Sequence, residues 1–171
     1  LNFSRAQSTE KQKVDVVATM ENAITLANDV ISVPGKLSFR QIKIERDYDE
    51  GLSPLACYPA ELQQVFLNLF RHSCHALSAM AEPEHKPVIS VQIMENLEAL
   101  WIKIHHNGTG LSLDEQKYIF EPFFNNPSDL DDPSKRLSFS YFIITEHHKG
   151  HMAVTSEEEG GSTFHIQFHL D

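Results

Sequence analysis

Asn107-Gly108-Thr109-Gly110-Leu111, followed by Ile119-Phe120-Glu121-Pro122-Phe123-Phe124, decides how this chain is read. Leu100 to Ile104, just upstream, alternates as a strand does. Gly108 and Gly110 mark a loop, and Leu113 to Ile119 reads as a short helix after it. Glycines at such a strand-to-helix junction let backbone come close to a bound group, because they carry no Cβ. The residue that enters the loop is His106.

Outward from this centre the pattern stays legible. Val88 to Met94 pairs naturally with Leu100 to Ile104 as an antiparallel hairpin turning around Asn96. Pro59, a favoured first helical residue, opens the strongest helix of the chain. It carries Leu62, Val65, Phe66, Leu69, Phe70, Ser73, Ala76, Leu77 and Met80 at helical spacing and ends before Pro83. Thr19 to Val30 is a second amphipathic helix, stopped by Pro34-Gly35. Leu37 to Ile44 alternates with a slip and reads as one strand. Leu137 to His148 is helical, and Met152 to Thr155 and Thr163 to Phe168 are strands around Gly160-Gly161. Residues 121–136 hold three prolines and three aspartates and form a long loop, a length that marks function or mobility. Strands and helices fall in separate runs, which predicts an α+β two-layer sandwich: a mixed sheet with helices on one face.

Composition narrows the function classes. The chain has 171 residues, one domain's worth, with 41% hydrophobic and 22% charged residues. Its 14 basic and 24 acidic residues give a net charge of −10, which argues against nucleic acid as a partner. No apolar run is long enough to span a membrane, so no direct membrane contact is expected. The first residue is not Met and no signal-peptide core follows, so a fragment is expected. Residues 1–13 are polar and read as a linker or a frayed helix end. The acidic runs at Asp47-Tyr48-Asp49-Glu50, Asp129 to Asp132 and Glu157-Glu158-Glu159 read as solvated loops. Cys57 and Cys74 form no metal or redox motif, which fits a reducing compartment. His72 with His75, and His147, His148 and His151, could hold a transition metal, but no cysteine or acid stands at ligand spacing. No Ser-His-Asp or Cys-His arrangement is present.

Glu61-Leu62-Gln63-Gln64-Val65-Phe66-Leu67-Asn68-Leu69, the Gly108/Gly110 loop, the Phe-bearing segment, the long loop and the last helix together resemble the ATP-binding domain of sensor histidine kinases. That domain belongs to the gyrase and histidine kinase ATPase group and has the Bergerat (GHKL) fold. The resemblance implies a mostly antiparallel mixed sheet under three helices. It places the domain at residues 14–171, with Leu1-Asn2-Phe3-Ser4-Arg5 similar to the tail of a dimerisation helix. It implies ATP and magnesium as cofactors. The implied partners are the dimerisation and phosphoacceptor domain of the same kinase and a response regulator. The implied place is the cytoplasm, as the cytoplasmic part of a membrane-bound sensor.

Several positions depart from the family pattern. Of two polar residues one turn apart on the long helix, the first matches Asn68 and the second, the magnesium ligand, falls on His72. Imidazole suits zinc or copper better than magnesium, which wants hard oxygen. The aspartate that reads adenine in the family is His106 here, which lacks a charge-assisted acceptor, a loss of about 1–3 kcal/mol. Glycines that cradle phosphate at the start of the last helix fall on Ser134 and Arg136, although Lys135 and Arg136 add positive charge. Gly108, Gly110, Gly161 and Thr163 match. Phe120, Phe123 and Phe124 would anchor a nucleotide lid or simply pack under the loop.

Three readings follow. In the first, combined losses of about 4–6 kcal/mol move a micromolar site to millimolar or weaker, leaving a pseudokinase-type signalling module. In the second, the domain binds Mg-ATP and phosphorylates a histidine on a separate dimerisation domain. A different ligand in a remodelled pocket is a third. The fragment lacks the phosphoacceptor helix and would not autophosphorylate alone.

Overall fold

The computed structural model describes residues 10–80, 82–121, 137–157 and 160–170. A five-stranded sheet forms one layer. Its strands are β4 (Lys43–Tyr48), β6 (Val88–Asn96), β7 (Ala99–His106), β8 (His151–Glu157) and β9 (Gly161–His169), in the order β4-β6-β7-β9-β8. β4 runs parallel to β6, and the remaining pairs are antiparallel. The expected mixed, mostly antiparallel sheet is thus present.

Alternation along the strands sorts the two faces. Ile89, Val91 and Ile93 on β6, Leu100, Ile102 and Ile104 on β7, and Phe164, Ile166 and Phe168 on β9 are buried. Their neighbours Gln92, Lys103, His165 and Gln167 lie half-buried on the other face. The helical layer covers the apolar face. α1 (Val16–Val30) starts where the Asp15 side chain caps the Ala18 amide at 3.3 Å. α2 (Pro59–Ser78) runs down the middle and buries Leu62, Val65, Phe66, Leu69, Phe70 and Leu77. The last helix is α-helical over Ser138–Phe142 and continues as a π turn over Ile143–His147. A short helix, α3 (Leu113–Tyr118), has a capping box between Ser112 and Glu115 and buries nothing.

The structure departs from the sequence reading in four places. The end of the expected linker is a strand, β1 (Gln12–Val14), paired with β5 (Leu55–Cys57). Neither is long enough to show periodicity. Leu37 to Ile44 is not one strand: β3 (Leu37–Ser38) gives way to a 3-10 turn at Phe39–Gln41, and β4 begins at Lys43. The slip in alternation is that turn, which drives Phe39 into the core against the Phe70 ring at 5.3 Å. α1 ends at Val30 as expected, but what stops it is Ile31, already extended and leading into β2 (Ser32–Val33), and not Pro34-Gly35. Pro34 and Gly35 instead turn the chain from β2 into β3. The hairpin turn lies at Leu97 and Glu98, both left-handed at φ 54° and 60°, rather than at Asn96. The last helix and the strands around Gly160-Gly161 lie where the sequence put them. Most of the expected 121–136 loop lies outside the described residues.

Candidate functional site

Cross-strand register builds the site. The sheet's buried face is apolar along the rows Ile93, Ile102, Ile166, Met152 and Val91, Ile104, Phe164, Val154. One row further, at the strand ends under the glycine loop, it becomes Ile89, His106, Ser162, Ser156. His106 and Ser162 are buried at 0% and 1% exposure. The Ser156 hydroxyl accepts from the Leu111 amide at 2.6 Å, donates to the Gly161 carbonyl at 3.1 Å and meets Ser162 Oγ at 2.9 Å. This serine pair fastens the glycine loop to the β8–β9 hairpin.

His106 is held in one tautomer. The Gly108 N–H donates to its Nδ1 at 3.0 Å, so the proton of the neutral ring sits on Nε2. That Nε2 is buried and has no hydrogen-bond partner among the described residues. Burial, then the neighbouring His72 and His105 rings, push its pKa down to about 3, so it stays neutral at physiological pH. Its one acceptor atom is already used by its own loop. The His72 ring lies 5.8 Å from His106 and edge-on to Phe164 at 5.2 Å.

The glycines face protein. A Cβ on Gly108 would stand 2.8 Å from the backbone of Ala76 on α2, and the Thr109 amide donates to the Ala76 carbonyl at 3.2 Å. A Cβ on Gly110 would stand 2.2 Å from the Glu157 carbonyl oxygen. Gly161 has φ +82°, and its Cβ would meet the His106 carbonyl oxygen at 1.8 Å. The loop therefore needs its glycines to seat on α2 and β8. Asn107 fixes the entry: its side chain accepts from the Val88 amide at 2.8 Å and donates to the Lys86 carbonyl at 2.9 Å.

A cavity of about 380 Å³ opens between α2, the glycine loop and the β2–β3 turn. His72, His75, Ala76, Gly110, Lys36 and Glu115 are among its lining residues. Of the sequence-predicted site residues, His72 and Gly110 line it, while His106 and Gly108 are buried and do not. Asn68 does not line it: its amide donates to Ser140 Oγ at 2.9 Å and accepts from Gln64 at 2.8 Å, tying α2 to the last helix. Thr163 lies on the opposite face of β9 from Ser162, with its hydroxyl 2.8 Å from His105 Nδ1. Phe120 stacks on Tyr141 at 4.9 Å. Phe123, Phe124, Ser134 and Arg136 lie outside the described residues.

Sequence reasoning missed Ser156, Lys36 and Glu115, and named Ser162 only as a match to the family's final glycine region. Strand alternation back from Phe164 could have put Ser162 on the buried face, but Ser156 needed the β8–β9 register. His147, His148 and His151 do not gather: His147 pairs with Glu61 at 2.9 Å, His148 is buried, and His151 sits edge-on to His169. Among the described residues no three metal-ligating side chains converge. No helix of the described residues is long and apolar enough to cross a membrane.

Comparison with known proteins bears on this geometry. The family model for histidine kinase-, DNA gyrase B- and HSP90-like ATPases matches residues 57–171. Signal transduction histidine-protein kinase AtoS of Escherichia coli is 30% identical over 96% of this chain, and sporulation kinase E of Bacillus subtilis is 25% identical over 97%. The chain spans only 25% and 21% of those two proteins. The nucleotide-free catalytic domain of histidine kinase ThkA superposes with a TM-score of 0.73 at 16% identity, covering 94% of this chain and 96% of that one. ThkA in complex with response regulator protein TrrA matches with a TM-score of 0.73 at 15% identity, over 94% of this chain and 42% of that one. The chain belongs to the histidine kinase-, DNA gyrase B- and HSP90-like ATPase family, and within it to the ATP-binding domains of sensor histidine kinases.

Proposed function

We propose that this domain has lost most of its grip on Mg-ATP and works as a signalling and interaction module of a two-component kinase. The observation that carries the reading is the hydrogen bond from the Gly108 amide to His106 Nδ1. It leaves a donor, not an acceptor, where an adenine amino group would need a carboxylate. A donor facing a donor forfeits the bond and strands both groups, about 1–3 kcal/mol. His72 at the magnesium position adds an imidazole where hard oxygen is needed. Asn68, the remaining candidate metal ligand, has its amide engaged by Gln64 and Ser140. The glycines are accounted for by packing on Ala76 and Glu157, so their retention supports conservation of shape and does not require a nucleotide. The residues present do not fit Mg-ATP.

The module would act through the dimerisation and phosphoacceptor domain of its own kinase, or through a response regulator, the kind of partner seen with ThkA. Calorimetric titration with Mg-ATP tests this. Affinity weaker than about 1 mM is expected, and affinity tighter than about 100 μM would establish the working-kinase reading instead. The double variant His106→Asp, His72→Asn should bind Mg-ATP at least about tenfold more tightly than the parent.

A further inference from the structure

The end of the sheet opposite His106 carries a second cleft, of about 530 Å³. Its walls come from segments far apart in sequence: β1, β5, the turn after the last helix, and the end of β9. Lys11 and Lys13 stand two residues apart and so share one face of the extended chain. Ala56, the cross-strand partner of Lys13, lines the cleft from the same face. Lys149 and His148 enter from the turn after the last helix, and His169 from β9.

The lining is basic in a chain of net charge −10. Among the described residues the lining includes no carboxylate, and Lys11, Lys13 and Lys149 make no salt bridge. Lys11 lies 5.8 Å over the Tyr58 ring. Glu95 reaches the edge only through Ser53, whose amide and hydroxyl bond its two oxygens at 2.7 and 2.9 Å. His148 is satisfied on both ring nitrogens and forms a neutral wall.

A second, independent feature points at Lys149. Its φ is 54°, a left-handed conformation that costs a non-glycine residue roughly 1–2 kcal/mol. The backbone there has little freedom to relax. The next residue, Gly150, donates to the Ile144 carbonyl at 2.8 Å, and a Cβ on it would stand 2.5 Å from the Gln167 carbonyl oxygen. Glycine at 149 would be free of strain, yet a lysine is held there against the cleft. Strained backbone of this kind recurs at ligand-binding positions.

We propose that this cleft binds a small, multiply charged oxyanion, a phosphate ester or a polycarboxylate. Three lysines line a recess within the size range of small-molecule sites, about 300–1,000 Å³. A nucleic acid or an anionic membrane would need an extended basic stripe, which a chain this acidic does not offer.

Calorimetric titration of the whole chain at about 50 mM salt tests the site, with pyrophosphate as the phosphate probe and citrate as the carboxylate probe. At least one should bind with Kd below about 1 mM and weaken as salt is raised. Lys13→Gln and Lys149→Gly should each weaken it about tenfold, whereas Lys43→Gln on the surface of β4 should not. Lys149→Gly should also raise Tm, because it relieves the strain while removing the charge. That pairing of a stabler fold with lost binding separates a ligand role from a structural one. Absence of binding by both anions, binding of an acidic peptide alone, or affinity unmoved by the two lysine variants would overturn the proposal. None of these results depends on whether Mg-ATP binds.

Discussion

The backbone N–H of Tyr58, the N-cap residue of α2, donates to Nε2 of His148 at 3.1 Å. The other ring nitrogen of His148 donates to the Ile143 carbonyl at 2.9 Å. One neutral imidazole thus joins the start of the central helix to the end of the last one, 90 residues away. It also packs edge-on against the Tyr58 and Phe168 rings. His148→Ala strips the part-buried Tyr58 amide of its partner and leaves the Ile143 carbonyl with only the His148 backbone N–H. It should cost about 2–3 kcal/mol in urea unfolding, with little change in the slope against denaturant.

Buried and half-buried histidines set an acid limit to stability. His106, His148 and His165 all have pKa values lowered in the fold, first by burial. Below the ordinary histidine value of about 6.5 the unfolded chain takes up protons that the folded chain refuses, so stability present above that pH falls as acid is added. For His106, with a folded pKa of about 3, the loss reaches about 2 kcal/mol at pH 5. Denaturant melts at pH 7.5 and 5 should show it, and His106→Asn should flatten the slope.

Gly161→Ala should be among the most damaging single changes. It combines a positive φ with a Cβ aimed at the His106 carbonyl. Left-handed strain and overpacking together predict about 2–4 kcal/mol, read as a fall in the midpoint of thermal or urea unfolding.

Ser156→Ala removes the hydroxyl that holds the Leu111 amide and the Gly161 carbonyl. The expected cost is about 1–2 kcal/mol. Amide exchange at Leu111 should accelerate more than at Ile102 in the sheet centre, because the tether is local to the glycine loop.

How far the sequence reached can be judged element by element. The helix from Pro59 was plain because its apolar residues recur at helical spacing over many turns. The hairpin of β6 and β7 was plain because alternation on both sides brackets a turn. β1 and β5 were illegible, since three residues have no period. The glycines were visible as a loop, but they serve the packing of that loop on Ala76 and Glu157.

Local pattern, then, determined the α+β sandwich and its helical layer, and resemblance of the motifs pointed to the family. Periodicity and glycine placement act between residues close in the chain, so they survive in the one-dimensional string. The tertiary structure alone decided that His106 offers a proton instead of a lone pair, because that depends on where the Gly108 amide lies. It alone decided that Thr163 faces away from the cavity, and that Lys13, Lys149 and His169 line one cleft. The first follows from the fold of the glycine loop over α2, the second from cross-strand register, and the third from chain crossings that unite residues more than a hundred positions apart.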